Sequence, residues 1–119
     1  MKNQSLPRRL RFAWAGLTET FAVESSFRTH VVATAAVVVV LLWLRPAPVW
    51  WAILALTIGL VLAAELVNTA IECLADHLHP ETHPRIRVVK DCAAAAVLVV
   101  SLGALAVAAA FVVATISAG

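Results

Sequence analysis

The stretch VWWAILALTIGLVLAAELVNTAIECLAD, Val49–Asp76, decides the fold of this chain. From Val49 to Ala64 it carries no charged residue, and then Glu65, Asn68, Glu72 and Asp76 follow in quick succession. Apolar sequence running straight into carboxylates reads as a helix that leaves hydrocarbon and enters water. About 20 apolar residues cross a bilayer, and a carboxylate held inside one costs roughly 2.5–3.5 kcal/mol. With Trp50 at one interface, Glu65 lies about 22 Å along the helix and Glu72 about 33 Å, in a hydrocarbon layer ~30 Å thick. The acids therefore descend from the far half of the membrane into water. At about 100° per residue, Glu65, Asn68, Glu72 and Asp76 also share one stripe of the helix.

Composition agrees with a lipid solvent. Of 119 residues, 62% are hydrophobic and 13% charged, more apolar side chain than one small soluble core can hide. Two further apolar runs flank the first, THVVATAAVVVVLLWL (Thr29–Leu44) and the Ala, Val and Leu sequence from Cys92 to Ala118. The expected architecture is an all-α integral membrane protein in one domain, 1–119. It comprises an amphipathic surface helix at about 7–24 and transmembrane helices at about 26–44, 49–76 and 90–117. A cleavable signal peptide fits the first run poorly, because the run starts late and two more spans follow.

Charge placement orients the spans. Lys2, Arg8, Arg9, Arg11 and Arg28 precede the first apolar run, Arg45 lies in the turn after it, and Arg85, Arg87 and Lys90 lie in the next loop. The N-terminus and second loop are thus expected in the cytoplasm, with the RPAP turn and the C-terminus outside. Trp43, Trp50 and Trp51 bracket the outer turn, where an aromatic belt is expected. Before the first span, Leu10, Trp14, Leu17 and Phe21 recur at helical spacing with Arg8, Arg11, Thr18 and Glu19 elsewhere around the turn. That pattern suits a helix lying on the cytoplasmic membrane surface. A net charge of +2, with no interleaving of basic and aromatic residues, gives no support for a nucleic-acid partner.

The stripe and the loop after it carry the chemistry. Asn68 alone would serve as interhelical glue, whereas several carboxylates at the inner boundary suit a hard cation. The loop DHLHPETHPRIRVVKD, Asp76–Asp91, brings basic residues to the same side and ends in Lys90-Asp91 at the mouth of the third span. An ammonium and a carboxylate there suit phosphate binding. Zinc is disfavoured, since no Cys stands at ligand spacing in the loop. Carboxylates, a base near the lipid boundary and a basic cytoplasmic loop add up to phosphoryl transfer from a soluble nucleotide to a lipid. No glycine-rich phosphate loop is present, because Gly16, Gly59, Gly103 and Gly119 are scattered. A small ion or proton conductor is the alternative of a different class, but it needs acids continuing to the outer side. A non-catalytic adaptor leaves Glu24 and Lys90-Asp91 unexplained.

ELVNTAIECLAD (Glu65–Asp76) resembles the E-x-x-N-[ST]-A-[IL]-E-x-x-x-D signature of the prokaryotic diacylglycerol kinase family, which includes undecaprenol kinases. AWAGL, VESSFR (Val23–Arg28), PETHP (Pro80–Pro84) and VKDCAAAAVL (Val89–Leu98) resemble further segments of that family. The resemblance implies an ATP- and Mg²⁺-dependent lipid kinase of the bacterial inner membrane, a homotrimer with sites between protomers. Its lipid is diacylglycerol, converted to phosphatidic acid, or alternatively undecaprenol. By the same resemblance Glu65 is the catalytic base and Asn68 positions it or the lipid hydroxyl. Glu24 and Glu72 hold the metal and with it ATP. Lys90, Asp91, Glu81 and His83 contact ATP, and Asp76 and Arg28 support the site. His30 stands where some members carry an acid, Thr82 where an aromatic is common, and Ile86 and Val88 where the approach to Lys90 is often more polar.

Overall fold

The computed structural model describes residues 3–118; Lys2, counted above with the cytoplasmic charges, and Gly119 lie outside the described residues. Four helices follow one another: α1 Leu6–Val23, α2 Ser25–Leu44, α3 Pro48–Leu78 and α4 Pro84–Ala118. No strand occurs among the described residues, and α2, α3 and α4 are each long and apolar enough to cross a membrane.

Prolines open three of the four helices. Pro7, Pro48 and Pro84 stand in first turns, where the missing N–H has no intrahelical partner to lose and φ is already helical. The α2 helix, by contrast, is rich in valine, a poor helix former in water. Lipid reverses that preference, because a spanning backbone has no water to bond and must satisfy its N–H and C=O groups internally. It ends at Arg45, which adopts the left-handed conformation (φ 49°) and donates its N–H to the Leu41 carbonyl.

Length separates the spans. With 20 residues, α2 is about 30 Å long and just crosses, whereas α3 with 31 and α4 with 35 residues reach about 46 and 52 Å. The surplus projects as a helical pair beyond the hydrocarbon. The expected spans lie inside these helices, which run further: α3 continues to Leu78, and α4 begins at Pro84, ahead of residue 90. Hydropathy marks where lipid ends, but a helix stops only where its backbone does. The connection is thus His79–His83, and Arg85, Arg87 and Lys90 ride on the first turns of α4.

Packing is sparse. The α3 helix packs chiefly on α4 and secondarily on α2, α1 touches α2 and α3, and the α2 and α4 backbones stay apart. Leu41, Leu54 and Phe111 form a small buried cluster at the end of the bundle that carries the α2–α3 turn, flanked by Val37, Trp50, Trp51 and Val107. Here the aromatic-belt expectation divides. Trp43 is 83% exposed, as a belt residue is, but Trp50 sits edge-on against Phe111 with ring centroids 5.2 Å apart and belongs to the packing. Between α2 and α4, with α3 as floor, runs an apolar groove of about 420 Å³ that reaches His30 at one end. On α1, Leu10, Trp14, Leu17 and Phe21 are all exposed, leaving its apolar side available to a membrane surface.

Candidate active site

Glu65 is the buried carboxylate of the bundle, 5% exposed. Its position follows from the stripe: it is the first acid of α3 and faces the opening turns of α2. Ser26 donates its hydroxyl to Glu65 Oε2 at 2.8 Å. His30, one turn further along α2, brings Nδ1 to 2.9 Å from Glu65 Oε1. That second contact is close but not aligned as a hydrogen bond, so the His30 Nδ1 is buried without a well-formed partner. The Thr69 hydroxyl donates to the Glu65 carbonyl at 2.9 Å. Asn68 is half-buried nearly one turn further along α3, and its Oδ1 is buried without a hydrogen-bond partner.

The remaining acids of the stripe separate by depth. Glu72 is half-buried and Asp76 exposed. Glu24 occupies the break between α1 and α2 in extended conformation, where it closes one helix and opens the next. The break is braced by Arg28, whose guanidinium donates to the Phe21 and Ala22 carbonyls at 2.8 and 2.9 Å, a cation on the negative end of α1. Neither Glu24 nor Glu72 is in an ion pair among the described residues. Nor do three His, Cys, Asp or Glu side chains converge as a closed metal cage there.

Lys90 and Asp91, adjacent in sequence, stand in the second turn of α4. Adjacent residues on a helix point about 100° apart. Lys90 consequently reaches across to donate to Asp76 of α3, while Asp91 lies 3.9 Å from Arg87 one turn earlier on its own helix. Glu81 and His83 lie in the connection, beside a cavity of about 220 Å³ that Lys90 and Arg87 also border. His83 accepts the Arg85 N–H at Nδ1 (3.1 Å), capping the start of α4, and its ring stands edge-on to His79 at 5.0 Å. His79 Nδ1 in turn lies 3.0 Å from the Glu81 carbonyl oxygen.

Sequence reasoning pointed to Glu65 and Asn68 but missed Ser26 as a partner of the acid and took His30 only as a departure from a pattern. A signal existed: Ser26 and His30 stand four apart, polar and on one face, where an apolar helix begins.

The sequence profile described as prokaryotic diacylglycerol kinase matches residues 11–112, from the first turns of α1 to near the end of α4. The chain belongs to the prokaryotic diacylglycerol kinase family. Relatives within this lipid kinase family include a diacylglycerol kinase of Synechocystis, 39% identical over 98 residues, which are 82% of this chain and 56% of that protein. An undecaprenol kinase of Bacillus subtilis is 37% identical over 73% of this chain and 71% of its own length. A diacylglycerol kinase of Escherichia coli is 33% identical over 74% of this chain and 72% of its own. The chain thus matches little more than half the length of the Synechocystis relative and nearly three quarters of the other two.

Proposed function

We propose that this chain is an ATP-dependent lipid kinase that transfers the γ-phosphoryl group of ATP to the hydroxyl of diacylglycerol, giving phosphatidic acid in the recycling of membrane lipid. The observation that carries the proposal is the buried Glu65 carboxylate, held at the lipid end of an acidic stripe whose other end reaches water. Glu65 takes the hydroxyl proton as the lipid oxygen forms its bond to the γ-phosphorus and the bond to the bridging β–γ oxygen breaks, releasing ADP. Asn68, nearly one turn further along α3, orients the hydroxyl by donating an amide N–H to its oxygen.

Glu24 and Glu72 are the carboxylates that would hold a magnesium ion. Two half-buried carboxylates with no cation paired to them are the donor set Mg²⁺ uses when substrate phosphates and water complete its shell. When bound, Mg²⁺ supplies charge neutralisation on the phosphates. On the nucleotide side, Lys90 exchanges its Asp76 partner for a phosphate oxygen, and Asp91, Glu81 and His83 line the approach. Asp76 supports the site by holding Lys90, and Arg28 by fixing the break that carries Glu24.

The cavity beside Glu81, about 220 Å³, is smaller than the ~300 Å³ at the low end of small-molecule sites. A cavity this small fits a site completed between protomers, as in the homotrimer that the family resemblance implies. ATP lies in the cytoplasm, so the N-terminus and the α3–α4 connection face that side of the bacterial inner membrane.

Phosphate transfer by purified protein in mixed micelles tests the proposal, with diacylglycerol and undecaprenol offered side by side. Diacylglycerol is expected to be phosphorylated, and Glu65→Gln to lose at least about 100-fold in rate while its fold survives. Transfer to undecaprenol alone overturns the substrate, and transfer to neither overturns the kinase.

A further inference from the structure

Building on the role proposed for Glu65, we infer that Ser26 and His30 are positioning residues that fix the Glu65 carboxylate from both of its oxygens. Ser26 holds Oε2 through a 2.8 Å hydrogen bond, and His30 Nδ1 stands 2.9 Å from Oε1. Both come from the same face of α2, one turn apart, so the plane of the carboxylate is set by a single rigid element. A glutamate side chain otherwise rotates about three bonds, and a base helps only in the orientation that meets the hydroxyl proton.

Each carboxylate oxygen can accept more than one hydrogen bond, so the clamp leaves lone pairs for the lipid hydroxyl. The His30 contact is near bonding distance but unaligned, as catalytic contacts commonly are before substrate tightens them. His30 also borders the apolar groove between α2 and α4, so the clamp stands between that groove and the acid. Glue between helices is the competing account of these contacts. A hydroxyl or amide on α3 would supply glue at lower cost than a carboxylate.

The two accounts part on which atom matters. In His30→Asn the amide nitrogen can occupy the place of Nδ1, whereas in His30→Gln it sits one bond further out. The test measures kcat and the KM for ATP in micelles containing diacylglycerol and Mg²⁺, with oligomer size and thermal melting recorded for every variant. His30→Ala and Ser26→Ala are expected to lose about 10- to 100-fold in kcat, the range of a hydrogen bond to a charged group, with KM for ATP changed less than about twofold. His30→Asn and Ser26→Thr are expected to recover most of the rate, and His30→Gln is expected to stay as low as His30→Ala. Equal rescue by Asn and Gln, or activity that only tracks assembly, overturns the inference in favour of glue. An active wild type with an unaffected His30→Ala overturns the inference alone, whereas a wild type inactive on every lipid overturns the kinase reading with it.

Discussion

At the scale of single residues, the bond between Lys90 and Asp76 illustrates how position sets worth. Both side chains are substantially exposed, at 35% and 64%, so solvent screens the pair and it adds little to stability. In the proposed site it presents the ammonium to the nucleotide. Asp76→Asn is expected to leave the melting temperature within a few degrees of wild type and to raise the KM for ATP several-fold, measured by initial rates. An unchanged KM would sever Asp76 from nucleotide binding. Glu65 had its type, depth and azimuth legible from the spacing of four polar residues in α3. Its partners were not, because Ser26 and His30 lie 39 and 35 positions away, and helix periodicity relates residues only within one helix.

At the scale of elements, the ends of helices hold the departures from expectation. Apolarity located the three spans but stopped short of the helical continuations of α3 and α4, which carry the charged groups beyond lipid. The stop of α2 rests on Arg45 in the left-handed region, a conformation that costs a residue with a Cβ roughly 1 kcal/mol. Arg45→Gly is therefore expected to raise thermal stability by about 0.5–1 kcal/mol without altering activity, read from melting curves in detergent. At the end of the bundle that carries the α2–α3 turn, Phe111→Ala removes the ring packed against Trp50 and is expected to cost about 3–5 kcal/mol. Val112→Ala, on a side chain 51% exposed, serves as the control and is expected to cost far less. Similar losses for both variants would mean that the buried cluster does not hold this end together.

At the scale of the molecule, a bundle extending 55 × 38 × 24 Å buries little of its own apolar surface, as a lipid-dissolved chain can. A site completed between protomers can draw Glu65 from one chain and Lys90 from the next. Mixing Glu65→Gln with Lys90→Met subunits, each inactive alone, is then expected to restore phosphate transfer once they are co-assembled. Activity that never rises above the unmixed variants would assign both residues to one chain.

Sequence alone determined the solvent, the number of apolar spans, the order of charges along them and the acid stripe on α3. Those properties depend on composition and on a periodicity fixed by backbone geometry. Tertiary structure decided which groups meet. It turned Ser26 and His30 toward Glu65, joined Lys90 to Asp76, and set Trp50 against Phe111. Each of these contacts except that of Lys90 joins helices from well-separated parts of the chain, and even Lys90 reaches across a turn to a second helix. Such contacts are fixed by how the helices rotate and stagger when they pack, which no local pattern records.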